Sequence, residues 1–398
     1  MPLKETPGAV LLVTPWFTAT GGVSKFSQQL HEQLNRAGVE TYTWICGERP
    51  TAGARFTPGA SYVEIPSYVF HDFTLKALFG QIYRAPFTLW RVIRFVRAHN
   101  IKTVVLIFPI EYVWPFVILR GLLGYRLILS CHGGEVRSFE KFSVPFRHLF
   151  SKTLRTASAI TACSEELARE LRRLCPQKVD SIRVIPNSVD TKHFTMAKDG
   201  IKRSDRPPTL VHVSNFSDAK RVEDIVDAFA AAAIPPVARL VMVGDGPNRE
   251  LAISKARSLG LESQVDFVGY QIDVRPFLWQ ADIFIMASEI ESDPLALLEA
   301  MACGLPWIAT PFGAAASMPD NDCGIVVPAR CPAKLAAAIG ELIDNPERGR
   351  SMGLKGRQRA VRDLDANQNT KRYIDLIQDP TAYPTGTNVS TQSNNAPS

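Results

Sequence analysis

Short apolar runs alternate with longer amphipathic stretches along most of the chain. Ala9–Pro15 (AVLLVTP) is apolar throughout and predicts a buried strand. Val23, Phe26, Leu30 and Leu34 then recur at helical spacing until Gly38 stops the pattern, and Val39–Ile45 predicts the next strand. With the glycine-bearing loop Thr18–Gly22 between them, these make a β-loop-α-β unit. Residues 48–80 read as irregular and aromatic, and residues 84–98 as a helix with Arg91, Arg94 and Arg97 near one face. Its aromatic neighbours Phe87, Trp90 and Phe95 would also suit a membrane-surface helix. The strand KTVVLIF follows at βαβ spacing, which favours a helix packed on a sheet with solvated arginines. Residues 104–119 are the most apolar stretch. They fall short of the ~18 residues a membrane-spanning helix needs and are broken by Pro109, Glu111 and Pro115, so they predict strand, loop and buried helix. RLILSC predicts a strand running into His132-Gly133-Gly134-Glu135. A helix over 144–157 follows, then the strand SAITACS, a helix EELARELRRL capped by Ser164, and the strand and turn of IRVIPNSVD.

Residues 195–208 are polar and proline-containing, the mark of a linker. A second α/β series begins after them, with strands in PTLVHVSNF, ARLVMVGDGP, QVDFVGY, DIFIMAS, PWIATPFG and CGIVVP, and helices between. The organisation expected is therefore an α/β domain over 1–194, a linker over 195–208, a second α/β domain over 209–362, a helix over 363–378 and a disordered polar tail over 379–398.

Composition narrows the class. At 46% hydrophobic and 21% charged residues, a chain of 398 residues is globular and long enough for two cores. The seven cysteines form no CxxC pair, which suggests neither a zinc site nor a disulfide framework and fits a reducing cytosol. The N-terminus lacks a signal-peptide pattern. The net charge of +6 is unevenly shared: residues 1–190 hold 23 basic and 14 acidic side chains (+9), and residues 191–398 hold 22 and 25 (−3). A basic first half suggests an anionic partner, a phosphate or a lipid headgroup surface before nucleic acid, for which no motif is present. No GxGxxG follows a strand, so a nicotinamide enzyme is not expected. Asp320-Asn321-Asp322 and Asp363-Leu364-Asp365 match a metal-binding DxD in letters only, since neither follows a buried strand.

The chemistry concentrates in a few loops. Glu291 lies between the strand DIFIMAS and the helix of LLEAMACGLP, and Glu299 lies just inside that helix. In an open α/β sheet, ligands bind at the carboxyl ends of the strands, where carboxylates accept hydrogen bonds from sugar or ribose hydroxyls. Two glutamates near a helix start can also be plain solvated residues favoured by the macrodipole. Gly21-Gly22 either receives a phosphate at a helix N-terminus or makes a tight turn. His132 is placed to meet a ligand, or is an ordinary loop histidine. Lys220 and Arg221 either hold a pyrophosphate or are surface charges.

Taken in order, Gly21-Gly22, His132–Gly134, Pro186–Asp190, Lys220-Arg221, Val243–Pro247, Asp266–Gly269 and Glu291 with Glu299 in EAMACGLP resemble glycosyltransferase family 4 over residues 9 to 378. The resemblance implies the GT-B fold: two Rossmann-like domains facing across a cleft, with the C-terminal helix returning to the N-terminal domain. It implies retaining transfer of a sugar from a nucleotide-sugar, UDP-sugars foremost, with no metal or other cofactor. The N-terminal domain would take the acceptor, a glycan or lipid-linked molecule of the cell surface, on the cytoplasmic side and in peripheral contact with an anionic membrane. The implied catalytic residues are His132, Lys220 and Glu291. The implied donor-binding set adds Gly21, Gly22, Asn215, Arg221, Gly269, Tyr270, Ser292, Asp293, Leu295 and Glu299.

The sequence departs from the family pattern in two places. Asp293 and Pro294 stand where an aromatic and a glycine usually present backbone N–H groups; Pro294 has none, and Asp293 adds a negative charge beside the expected diphosphate. Asn215 stands where an arginine is usual, with Arg221 the candidate replacement cation. The segment VHVSNFSDAKR and the start of the glutamate motif are similar to the bacillithiol-pathway N-acetylglucosaminyl-malate synthase. TATGGVSKF does not resemble that enzyme's glycine loop, which argues against a malate acceptor. A small-acceptor transferase and a non-catalytic nucleotide-sugar binder are the alternatives.

Overall fold

The structure, a computed structural model, describes residues 8–15, 22–46, 59–63, 65, 75–197, 206–311 and 322–379. Gly21, the tail beyond Asp379, most of the expected linker and Asp320-Asn321 lie outside them. The chain divides into two compact units: it leaves the first at Ile185, forms the second over Pro186–Asn369 and rejoins the first at Thr370. Residues 195–197 and 206–208 of the expected linker thus belong to the second unit.

Among the described residues, the first unit has seven strands: β1 (Ala9–Thr14), β2 (Thr41–Ile45), β3 (Ala60–Tyr62), β4 (Ile101–Ile107), β5 (Arg126–Cys131), β6 (Ala159–Ala162) and β7 (Ile182–Val184). All pairings are parallel, in the order β3-β2-β1-β4-β5-β6-β7. A parallel sheet is covered on both faces, which is why β1 and β4 are apolar runs rather than alternating ones. On one face pack α2 (Leu75–Ala98), α3 (Trp114–Leu123), α5 (Val144–Thr156) and α6 (Glu165–Leu174), sharing a core with Leu11, Val104 and Leu127. On the other, α1 (Gly22–Arg36) and the end of the C-terminal helix pack over Val10, Leu12 and Ile128 through Phe26, Leu30, Tyr373 and Leu376. The short α4 (Gly134–Arg137) follows β5. Ser164 caps α6 as expected, its Oγ accepting from Leu167 N–H at 3.2 Å.

Two readings are corrected here. The helix expected over 84–98 begins at Leu75 and continues through Pro86, because packing of Val92 and Val96 anchors it beyond the proline. The stretch read as irregular contains the edge strand β3 and the first turns of α2.

Among the described residues, the second unit has six parallel strands, β8 (Thr209–Val213), β9 (Arg239–Val243), β10 (Val265–Gly269), β11 (Ile283–Met286), β12 (Trp307–Ala309) and β13 (Gly324–Val326), in the order β10-β9-β8-β11-β12-β13. Its helices are α7 (Val222–Ala231), α8 (Arg249–Ser258), α9 (Arg275–Gln280), α10 (Leu295–Ala302), α11 (Pro332–Asp344) and α12 (Pro346–Asp363); α13 (Ala366–Gln378) then carries the chain back. Each sheet reverses its strand order once, between β1 and β4 and between β8 and β11. Such a reversal opens a crevice at the carboxyl ends, because the loops on its two sides run to helices on opposite faces. All seven cysteines are free thiols.

Candidate functional site

In the second unit, the loop after β8 carries Lys220 and the loop after β11 carries Glu291. These strands are hydrogen-bonded neighbours at the reversal, and the two side chains form an ion pair there, Nζ to Oε1. Both are mostly withdrawn from water, and Ser288 Oγ approaches the same carboxylate oxygen at 3.4 Å. Burial pushes the Lys220 pKa down to about 8, so the ammonium is charged at neutral pH but releases its proton more readily than a solvated lysine. Beneath it lies the buried His212. Its Nδ1 is 2.9 Å from the Ile285 carbonyl, which can only accept, so Nδ1 bears the proton and Nε2 accepts from Ser214 Oγ at 2.7 Å. Burial holds His212 neutral, with a pKa pushed down to about 4, and the Lys220 charge acts in the same direction.

Arg221 is adjacent in sequence but differently employed. It takes a left-handed backbone, φ 51°, and its guanidinium grips Asp224 in a two-point contact at 2.8 and 3.0 Å. Asn215, the other residue of this loop, is exposed.

The loops after β8, β9 and β10 are laced through their backbones. Phe216 N–H donates to Asp245 O, Asn248 N–H to Phe216 O and Gly244 N–H to Gly269 O, all at 2.8–2.9 Å. The Gly-Asp-Gly turn exists for this approach: Gly244 has φ 141°, and a Cβ there would lie 1.8 Å from the Ser214 carbonyl oxygen. Gly269 ends β10 with φ 71°, and Tyr270 beyond it is exposed.

Ser292, Asp293, Leu295 and Glu299 are all buried, and Glu299 lies one turn inside α10. Asp293, expected to set its charge beside a diphosphate, is engaged with the chain itself. Its carboxylate accepts from the backbone N–H of Asn187 at 2.6 Å, and its carbonyl accepts from the Asn187 side-chain amide at 2.6 Å. Pro294 is the N-cap of α10, outside the helix, so its missing N–H removes no intrahelical bond, and its carbonyl accepts from Leu297 N–H. Asp293 thus fastens the glutamate loop to the Pro186–Asp190 turn.

Gly22 opens α1. No described atom within 4 Å would meet a Cβ there, so packing among the described residues does not require this glycine. His132 is half-buried after β5, with its ring against Phe26 at 4.5 Å between centroids. Its Nε2 lies 3.1 Å from Ser130 Oγ, which is 3.0 Å from Tyr373 Oη, in turn 3.2 Å from Thr161 Oγ1. Thr161 donates to the Leu129 carbonyl. Followed back, that sense has Tyr373 donating to Thr161, Ser130 to Tyr373 and His132 Nε2–H to Ser130, which leaves Nδ1 as an acceptor. Burial lowers the His132 pKa to about 4, so it is neutral at pH 7. Glu135, buried in the following turn, accepts from His132 N–H at 2.6 Å; burial raises its carboxyl to about 7 against the backbone N–H groups that favour the anion.

The structure thus brings together Lys220 and Glu291, and sets Arg221 and Asp293 on other partners. Sequence reasoning missed His212, Ser214 and Ser288, whose positions only the strand order reveals, and the chain from His132 to Tyr373. Of the DxD letters, Asp363 pairs with Arg362 and Asp365 accepts from Thr191 and Asn367. No group of three or more His, Cys, Asp or Glu suited to a metal occurs among the described residues. A cavity of about 410 Å³ lies at the opposite, amino ends of the second sheet's strands, lined by Pro208, Asp282 and Pro306 among others, away from these loops.

Residues 20–193 match the family described as Glycosyltransferase Family 4, and residues 207–345 match Glycosyl transferases group 1. The chain is 25% identical over 374 residues to N-acetyl-alpha-D-glucosaminyl L-malate synthase of Bacillus anthracis, covering 91% of this chain and 95% of that one. This likeness extends over both units, more widely than the segment that suggested it. It is 31% identical over 201 residues to the lipopolysaccharide core biosynthesis glycosyltransferase LpsE of Rhizobium meliloti, covering 49% of this chain and 57% of that one. Among solved structures, Anabaena HepE in complex with UDP superposes with a TM-score of 0.74 at 17% identity, covering 93% of this chain and 99% of that one. With both families matched in order on a shared GT-B fold, the chain belongs to the group 1, family 4 glycosyltransferases, retaining enzymes that draw a hexose from a nucleotide-sugar donor.

Proposed function

We propose that the donor is a UDP-sugar and that the acceptor is a cell-surface glycan or its lipid-linked precursor, glycosylated on the cytoplasmic side of the membrane. The observation behind the donor assignment is the Lys220–Glu291 pair at the reversal of the second sheet. HepE, which shares the fold, is described in complex with UDP and with UDP-glucose, and LpsE as a lipopolysaccharide core enzyme.

In this reading Lys220 exchanges Glu291 for the donor diphosphate, and the freed carboxylate accepts hydrogen bonds from sugar hydroxyls. Glu299 takes the ribose hydroxyls, and the Gly269-Tyr270 turn flanks the base. Gly21 and Gly22 allow close approach of phosphate or acceptor. His132, neutral with Nδ1 as acceptor, serves a sugar hydroxyl and adds no charge. The bond from the anomeric carbon to the diphosphate oxygen breaks and its electron pair leaves with the diphosphate. The acceptor oxygen bonds the anomeric carbon from the same face, and its proton passes to the departing phosphate oxygen. Charge grows on the leaving group as this occurs, so a positioned ammonium lowers the barrier more than it tightens the ground state. The sugar is oxocarbenium-like at the barrier.

Thermal shift against UDP-, GDP- and ADP-sugars tests the donor. A ligand at 100 times its Kd adds about 2.7 kcal/mol. The expected result is stabilisation by the uridine set; preference for another base overturns the assignment. A small hydroxy-acid acceptor is the second reading, favoured by the likeness to the malate synthase over 91% of the chain. Formation of a glycosylated malate from UDP-N-acetylglucosamine and L-malate would establish it in place of the glycan acceptor.

A further inference from the structure

One helical layer of the first unit combines two surface properties that rarely coincide. α2, α3 and α5 cover the same face of the sheet: Val92 and Val96, Phe116 and Val117, and Phe146 and Phe150 share one core. Their outer sides therefore face away from the sheet together. The three helices contain no aspartate or glutamate, yet hold five basic residues on α2, one on α3 and three on α5. α6, in the same layer, returns to a mixed composition with Glu165, Glu166 and Glu170.

The acid-free helices also expose large apolar side chains. Tyr83 is 87% exposed, Phe87 59% and Trp90 50% on α2; Ile118 is 56% and Leu122 67% on α3; Val144 is 56% on α5. Tyr83, Phe87, Trp90 and Arg94 fall at i, i+4, i+7 and i+11, one stripe of the helix. Phe87 stacks on Trp90 at 5.8 Å between centroids, and the guanidinium carbons of Arg91 and Arg94 lie 5.7 and 5.3 Å from the Phe87 and Trp90 rings. Aromatic rings with arginines laid over them suit the boundary between acyl chains and headgroups, where the rings enter the apolar side and the cations meet phosphates.

We propose that this layer is a docking face for an anionic lipid bilayer. A second copy of the chain is a poor occupant, because an isologous contact would press two predominantly cationic faces together, the exposed Glu140 beside α5 being already paired with Arg147. Nucleic acid would meet the arginines but gains nothing from Ile118, Leu122 and Val144. An anionic bilayer satisfies both the charge and the apolar surface. The inference deepens the lipid-linked-acceptor reading and rests on it only for its biological purpose.

The test uses the full chain and vesicles without any acceptor lipid: phosphatidylcholine alone, or with about one-third phosphatidylglycerol. The expected result is sedimentation with the anionic vesicles at low salt, release at high salt, and little binding to the neutral ones. A Phe87→Ser, Trp90→Ser double variant should partition roughly tenfold more weakly, with an unchanged thermal shift by UDP-sugar. Equal partitioning of the variant, or no retention on anionic vesicles, overturns the proposal. So does a protein dimer, seen by light scattering, that the double variant dissolves. Vesicle binding without transfer to lipid-linked acceptors would leave this proposal standing and remove the acceptor reading; transfer without vesicle binding would do the reverse.

Discussion

The two units share one architecture, a parallel sheet with a single reversal of strand order, but they hold their charges in different places. Residues 1–190 carry +9, yet the loop of His132 is kept close to neutral at pH 7, with an uncharged imidazole and a carboxyl raised to about 7. The arginines of that unit are largely on the outer helical layer. Residues 191–398 carry −3, yet there a withdrawn lysine is paired with a glutamate at the reversal. The net charge of a unit therefore does not say where a buried cation is held. The basic half spreads its cations over outer helices, and the acidic half holds a lysine, largely withdrawn from water, against a glutamate.

The comparison can be broken most severely at Lys220. Replacement by alanine should lower the single-turnover transfer rate about 10³-fold, near 4 kcal/mol, with the unfolding midpoint little changed. An effect of only a few-fold would remove the distinction between the units. The laced loops come next. Gly244→Ala forces a Cβ against the Ser214 carbonyl at a left-handed φ, and urea unfolding should show a loss of about 3 kcal/mol.

The near-neutral loop of the first unit predicts two opposing pH effects of similar size. Glu135 has a folded pKa above its unfolded value, so its contribution is present below about 4.5 and is lost as pH rises through about 7, to a total of at most about 3 kcal/mol. His132 has a folded pKa below its unfolded value, so its contribution is present above about 6.5 and is lost as pH falls through about 4. The two offset each other between these limits. Glu135→Gln should therefore expose the histidine slope alone, with stability rising from pH 4 to 6.5 in urea titrations. The smallest effect is expected at Arg221, half-exposed on Asp224. Arg221→Ala should cost under about 1 kcal/mol of stability and leave turnover within a few-fold, which separates it from its neighbour Lys220.

Most strands and helices were legible because buried parallel strands are apolar runs and their covering helices repeat at helical spacing. Glu291 and Glu299 were legible because they flank a strand-to-helix junction. Other features were not, and the reason is sequence distance. A partner of Asp293 is Asn187, more than a hundred residues earlier, so letters alone could not show what its carboxylate accepts from. The pairing of Lys220 with Glu291 depends on β8 lying beside β11, which follows from strand order rather than from any local pattern. The start of α2 was missed because Pro86 argues locally for a break, while the packing of Val92 and Val96 decides otherwise. The partner of Arg221 stands only three residues away as Asp224, but the left-handed backbone that turns the two together is not written in the letters.

The most direct test of the donor-site account is calorimetric titration of UDP into the wild-type chain and Lys220→Ala between pH 7 and 9. The free ammonium has a pKa near 8, so wild-type affinity should be highest below that pH and fall by up to about tenfold per unit above it. The alanine variant should bind about 100-fold more weakly at pH 7 and show no such fall. Equal affinity of the two proteins, with the same dependence on pH, would contradict the account.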